Sequence, residues 1–212
     1  MITDVPPPRQ IGEFPDWEHR YLEQPVHNLP WFTTEPDRDL HRTITERGLT
    51  KGRFLDVGTG PGTQAAWLAE QGFEVTGSDL APAAIAAARE FCQQRGLSVT
   101  LIVDDILNTT LHPPFDWIFD RGCFHVLPPE RRADYVRTIH HLLHPHGLLL
   151  LKCFHVKETT MEGGPYRFDP AQIEQLFAES FQILENRETF FEGTLSHQPI
   201  ALFTVLTPRI KP

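Results

Sequence analysis

The sequence predicts an α/β fold: a mostly parallel sheet of seven strands with helices on both faces and an antiparallel last strand. Three observations predict it. Strand-length apolar segments alternate with helix-length crossovers between residues 53 and 207, which is the pattern of a parallel sheet. The first strand, 53–57, runs into a glycine-rich loop that opens a helix. The segment 147–154, Gly-Leu-Leu-Leu-Leu-Lys-Cys-Phe, is continuously apolar over four residues, as a strand covered on both faces should be.

Residues 1–12 carry Pro6-Pro7-Pro8 and no periodic apolar pattern, so an extended or disordered start is expected. Residues 15–36 mix prolines with Trp17, Tyr21, Trp31 and Phe32. That stretch reads as a short helix over Asp16–Glu23 and a loop through Leu29-Pro30-Trp31-Phe32. A helix over 37–48 starts after Pro36 and stops at Gly48. Strands follow at 53–57, 73–78, 98–103, 115–120, 147–154, 181–190 and 200–207. Helices fall at 62–71, stopped by Gly72, at 82–95, begun by Pro82 and stopped by Gly96, and at 129–144 and 170–179. The short link between the last two strands makes them an antiparallel pair. The chain divides into an N-terminal extension and lid, 1–50, and one globular unit, 51–212.

At 212 residues the chain holds one well-buried domain. A net charge of −9 argues against nucleic acid as a partner. No apolar run is long enough to cross a membrane, and no signal-peptide pattern begins the sequence. Cys92, Cys123 and Cys153 are odd in number and widely spaced, which suggests neither disulfides nor zinc and fits a reducing cytoplasm. The eleven histidines show no metal-ligand spacing, so no metal is expected.

The chemistry gathers at the carboxyl ends of the strands, where open sheets of this kind bind ligands. Asp56 precedes a loop with Gly58, Thr59, Gly60 and Gly62, whose glycines admit a ligand close to the backbone. Thr63 stands where a dinucleotide fingerprint needs its third glycine, and no Lys-Ser/Thr of a P-loop is present. Asp79, followed by Leu80, can accept hydrogen bonds from both hydroxyls of a ribose or can cap the helix begun at Pro82. One of Asp104 and Asp105, with Asp105 the better candidate, can meet an adenine amino group while Ile106 packs on the ring, the alternative being a solvated turn. Asp120, Arg121, Cys123 and His125 cluster at the end of the fourth strand. Each taken singly reads as structural; together they read as a site.

The run Asp56-x-Gly58-x-Gly60-x-Gly62, with Asp79, Asp105-Ile106 and Asp120, resembles the successive motifs of class I S-adenosylmethionine (SAM) dependent methyltransferases over residues 50–155. The segment Phe115 to His125 and the later Gly163-Gly164-Pro165-Tyr166-Arg167-Phe168 resemble the thiopurine S-methyltransferase and thiol or halide methyltransferase branch. Residues 29–36 resemble its Pro-Trp lid, with Thr33-Thr34 where members commonly carry Asp-x-Gly. The resemblance implies a Rossmann-like methyltransferase fold that binds SAM and releases S-adenosylhomocysteine (SAH). It implies cofactor contacts from Trp31, Asp56, Gly58, Thr59, Gly60, Gly62, Asp79, Leu80, Asp104, Asp105, Ile106 and Asp120.

Methyl transfer from a sulfonium needs mostly positioning and exclusion of water. An alcohol or amine acceptor also needs its proton removed, whereas a thiolate does not. His125 or Asp120 is the candidate base. Arg121 is the candidate to orient an anionic acceptor, or else pairs with a nearby acid. Cys123, Phe124, Phe154, Tyr166 and Phe191, with Trp31, are candidate pocket walls, and residues 155–169 a candidate lid. The expected partner is a small acceptor, a thiol, a thiopurine-like heterocycle or a halide, acted on by a monomer or homodimer. An O- or N-methyltransferase, a non-catalytic SAM or SAH binder and an NAD-dependent dehydrogenase are the alternatives, the last disfavoured by Thr63.

Overall fold

The structure is a computed structural model and describes residues 16–160 and 163–210. The expected irregular start at 1–12 lies outside the described residues, as do Met161 and Glu162 of the candidate lid. In chain order the elements are α1 (Trp17–Glu23), α2 (Arg38–Arg47), β1 (Arg53–Val57), α3 (Thr63–Glu70), β2 (Glu74–Asp79), α4 (Pro82–Gln94) and β3 (Thr100–Val103). There follow β4 (Phe115–Arg121), α5 (Pro129–Leu142), β5 (Leu143–His155), β6 (Arg167–Phe168), α6 (Pro170–Phe177), β7 (Phe181–Phe190) and β8 (Ile200–Pro208).

The sheet order is β3-β2-β1-β4-β5-β8-β7, with β6 paired to β5 off that path. β8 runs antiparallel to both β5 and β7, and the other pairings are parallel. The chain therefore moves outward from β1 to β3, then returns to place β4 on the other side of β1. A crevice opens at the carboxyl ends of β1 and β4, where the order reverses.

Alternation along the central strands sorts their side chains into two cores. Leu55, Ile118, Leu149 and Leu151 face α5 and α6 with Tyr135, Ile139 and Phe177. Phe54, Phe119 and Leu150 face the other way, against Leu40 and Ile44 of α2 and Leu68 of α3. α2, within the N-terminal extension, supplies part of this second core. Local chemistry sets the helix ends. The Asp37 carboxylate accepts from the Asp39 and Leu40 amides at the start of α2, and Gly48 closes it in the left-handed conformation (φ 63°). Asp169 and Gln172 form a reciprocal capping box on α6.

Two differences from expectation have plain causes. β5 begins at Leu143 rather than 147, because Phe115 pairs with Leu143 before a register shift brings Trp117 opposite Leu148. β6 is a strand of two residues inside the candidate lid, pairing Arg167 with Phe154 and Phe168 with His155. Two residues are too few to show alternation.

Candidate functional site

A cavity of about 320 Å³ lies at the switch point, under a roof made by α1 and the loop that follows it. Its floor is the loop after β1. The Asp56 carboxylate accepts the Thr59 hydroxyl at 2.6 Å, and the Thr59 amide donates to the Ser78 carbonyl at 2.9 Å. Asp56 is fully buried, and burial, aided by the neighbouring Asp120 and Asp79 charges, pushes its carboxyl up to about 7. Gly58 lines the cavity, while Asp56, Thr59, Gly60 and Gly62 stand behind the wall. The glycines there serve packing. A Cβ on Gly60 (φ 54°) would lie 2.7 Å from the Tyr21 hydroxyl of α1, and one on Gly62 (φ 81°) would lie 2.8 Å from Cβ of Ala88 in α4.

The next two strand ends supply the adjoining wall. Asp79 accepts the Gly60 amide on one carboxylate oxygen and the Ala81 amide on the other, both at 2.9 Å. Burial raises its carboxyl above the ordinary range. Each carboxylate oxygen has a second lone pair, so Asp79 keeps acceptor capacity toward the cavity it borders. Asp104 holds its own loop by accepting from the Thr109 hydroxyl and the Thr110 amide. Asp105 accepts from the Leu107 amide and the Asn108 side chain, fixing a single turn that sets Ile106 and Leu107 on the wall. Half-exposed Leu80 completes this side.

The roof is aromatic. Trp17 and Tyr21 meet Trp31 edge-on at ring separations of 5.7 and 6.1 Å, and the Trp31 indole donates to the Tyr21 hydroxyl at 3.2 Å. Burial raises the Tyr21 phenol above its ordinary value, so it stays a neutral hydrogen-bonding group. Glu18 reaches across to accept the Ala83 amide at the start of α4, which fastens α1 to the rim.

The turn after β4 places four of the candidate residues in different surroundings. Asp120 is fully buried, away from the cavity wall, and accepts the Gly122, Cys123 and Phe124 amides and the Tyr135 hydroxyl. Those four donors make it the post around which the turn is wound. Burial pushes its carboxyl up to about 6 against the pull of those bonds. Arg121 reaches the cavity, but its Nε donates to Asp37 at 2.9 Å and its two Nη to the carbonyls of Trp31 and Glu192. It ties the roof together, the pairing with a nearby acid that was the alternative to orienting an acceptor. Phe124 is fully buried among Tyr135, Phe168 and Phe177, hence core and not pocket. His125 lines the cavity between Phe154 and Phe191, yet its Nδ1 accepts the Phe154 amide at 3.2 Å. Burial, reinforced by Arg121, lowers its imidazole to about 3. With Nδ1 occupied by that amide, the neutral ring carries its proton on Nε2 and can donate from there.

Other expected walls are in place. Cys123, Phe154, Tyr166 and Phe191 line the cavity with Trp31. Burial holds the Cys123 thiol well above its ordinary range, so it stays protonated and acts as a small apolar surface. The Tyr166 amide donates to the His125 carbonyl at 2.8 Å, and the Arg132 guanidinium stacks 4.4 Å from the Tyr166 ring centre.

Sequence reasoning missed two features. The first is a buried ionic network. Lys152, fully buried on β5, contacts Asp37 at 2.7 Å and Asp39 at 2.8 Å; Arg187 reaches Asp39, and Glu192 approaches both Lys152 and Arg121. Burial disfavours the Asp37 charge, but Lys152 and Arg121 outweigh it and hold that carboxyl below its ordinary range. The one signal was a lysine in the middle of an apolar strand. The second is the loop between β7 and β8, which puts Leu195 and His197 on the wall. It also straps the roof: the Thr194 amide donates to the Pro30 carbonyl at 3.1 Å.

Among the described residues no cluster of three or more metal-ligating side chains occurs, the three cysteines are free, and no helix is long and apolar enough to cross a membrane. The chain is 38% identical over 119 residues to the 2-heptyl-1-hydroxyquinolin-4(1H)-one methyltransferase of Mycobacteroides abscessus, covering 55% of this chain and 52% of that protein. It is 32% identical over 141 residues to the thiopurine S-methyltransferase of Legionella pneumophila, covering 58% and 62%. The match thus spans a half to two thirds of these relatives. In fold it is similar to a solved structure described as "Conversion of a Disulfide Bond into a Thioacetal Group during Echinomycin Biosynthesis", with a TM-score of 0.79, 24% identity and 91% of each chain covered. The sequence model described as thiopurine S-methyltransferase (TPMT) matches residues 13–203, and on that match, with this fold, the chain belongs to the thiopurine S-methyltransferase family.

Proposed function

We propose that the protein is a SAM-dependent methyltransferase acting on a small, flat, ring-bearing acceptor. One observation carries the reading: a single roofed cavity joins a nucleoside-like half to an aromatic half. The first half has an acid able to take ribose hydroxyls, Asp79, and apolar cover for a base from Leu80, Ile106 and Leu107, with Gly58 allowing close approach. The second has His125, Phe154, Phe191 and Tyr166 around it. The residues present fit the cofactor, since Asp79 retains lone pairs and Gly58 puts no side chain into the floor. SAM supplies a methyl group already activated on a sulfonium.

What remains for the protein is positioning and the exclusion of water. The Trp17–Tyr21–Trp31 roof excludes water, and Phe154 and Phe191 offer faces to a flat ring. His125 presents a fixed Nε2–H donor to an acceptor oxygen, sulfur or ring nitrogen. The names of the quinolone and thiopurine relatives support a heteroaromatic acceptor. The Arg121 nitrogens are engaged by the roof, which favours a ring over a halide as the acceptor. The charge of −9 and the three free thiols support a small-molecule partner in a reducing, cytoplasmic setting.

The test measures SAM affinity by calorimetry and SAH production with 6-mercaptopurine, 1-hydroxyquinolin-4(1H)-one and iodide. Turnover of either heterocycle supports the reading. Turnover of iodide alone rejects the aromatic assignment, and failure to bind SAM rejects the reading entirely.

A further inference from the structure

The loop between β7 and β8 carries a side-chain relay that the reading above does not use. Glu158, just after β5, is buried (2% exposed). One of its carboxylate oxygens accepts the Ile200 amide at 2.7 Å, and the other accepts both the amide and the hydroxyl of Thr160. The Thr160 hydroxyl oxygen lies 2.9 Å from Nε2 of His197. His197 lines the cavity together with Leu195, Tyr166 and Phe191.

Hydrogen counting fixes the direction of the relay. An ionised carboxylate only accepts, so the one hydroxyl proton of Thr160 goes to Glu158. The hydroxyl oxygen is then left to accept, and Nε2 of His197 must be the donor. Neutral His197 therefore carries its lone pair on Nδ1. His125 is in the opposite state, its Nδ1 lone pair consumed by the Phe154 amide. The two histidines of one cavity are thus set up differently, one as a donor and one as an acceptor of protons. His197 is also exposed at the rim, so a proton taken there can pass to solvent.

We propose that His197 is the general base that deprotonates the acceptor, held in its tautomer by Thr160 and, through Thr160, by the buried Glu158. The proposal rests on the methyltransferase reading. The acceptor's lone pair forms the new bond to the methyl carbon, and the methyl–sulfur bond breaks with its electrons left on sulfur, giving SAH. The O–H or N–H proton of the acceptor moves to Nδ1 of His197 and then to water. His197 is the catalytic residue here, while Thr160 and Glu158 are positioning residues. The charged and titratable groups around His197 are Glu158 behind Thr160, Glu192 on its own loop, and Arg20, Tyr21, Asp79, Asp104, Asp105, Arg121, Cys123, His125 and Tyr166 around the cavity. Arg121 and Glu192 are engaged with each other and, for Arg121, with Asp37.

The probes are 1-hydroxyquinolin-4(1H)-one, whose O–H must be lost, and 6-mercaptopurine, whose thiolate needs no base. His197→Gln is expected to lower kcat on the hydroxyquinolone about 100-fold with KM within about threefold of wild type. It should abolish the rise of kcat with pH and leave the thiopurine rate and SAM affinity within about threefold. Thr160→Val should give part of that loss and Thr160→Ser should restore it. A second readout needs no turnover. With SAH bound, ultraviolet absorbance reports the pH at which bound hydroxyquinolone ionises, and that pH should be lower on the wild type than on His197→Gln. Equal ionisation on the two proteins, or a kcat loss that falls alike on both probes, overturns the base. If the wild type neither binds nor turns over either probe, the function reading and the base fall together. Normal wild-type turnover with an unaffected His197→Gln removes the base alone.

Discussion

Asp79 performs two jobs with one carboxylate, tying the loop after β1 to the start of α4 while bordering the cavity. Asp79→Ala should weaken SAM binding by about 1.5–3 kcal/mol, the range of hydrogen bonds to a charged group. Calorimetry on a variant that keeps its circular dichroism spectrum checks this, and unchanged affinity would leave Asp79 a loop tie only. His125 gives a pH prediction. Its folded value near 3 lies below the ordinary 6.5, so the unfolded chain takes a proton first as pH falls. The stability it contributes is present above 6.5 and is lost on acidification from 6.5 toward 3. From pH 7 to pH 5 the wild type should lose about 2 kcal/mol relative to His125→Gln, measured by urea unfolding at both values. Equal losses would mean the ring is not held neutral.

At the scale of elements, the roof is held by contacts between parts distant in sequence. Lys152 meets Asp37 across 115 residues, and Arg121 meets it across 84. Lys152→Met leaves Asp37 and Asp39 buried with a cation missing, and should cost about 3–5 kcal/mol of unfolding free energy. A loss below about 1 kcal/mol in urea titration would show that the network is solvated in solution. Gly193 tests the strap by itself. A Cβ there would lie 2.0 Å from the Pro30 carbonyl oxygen, so Gly193→Ala must displace the roof while the sheet stands. SAM affinity should fall about tenfold, close to 1.4 kcal/mol, with the near-native far-ultraviolet spectrum retained. Wild-type affinity would separate the strap from the cofactor half.

The whole molecule joins a sheet packed on both faces to a thin aromatic cover, and the two should differ in mobility. α1 has no buried residue of its own, whereas the central strands are buried on both faces. Amide exchange in 17–31 should therefore be fast without ligand and should slow on adding SAH, while β1 and β4 stay protected throughout. Exchange in 17–31 that ignores SAH would mean that the cover is not part of the cofactor site.

Residues near one another in sequence wrote most of the fold. β1, β7 and the starts of α4, α5 and α6 fall where alternation, proline and glycine put them, because period and punctuation act over a few residues. Asp79, Ile106, Phe154 and Phe191 were legible for the same reason, since a strand's carboxyl end can be located from its own sequence and its side chains there face the crevice. What only the tertiary structure decided was what each polar group is paired with. Asp120 became a turn post, Arg121 a strut and His125 a donor because their partners are brought in by the fold, several from far along the chain. Lys152 in its apolar strand, the two residues of β6 and the Glu158–Thr160–His197 relay were unreadable for that reason. The sequence determines where side chains of a given chemistry sit on their elements, but burial and pairing, which set their charge and proton direction, are properties of the packed molecule.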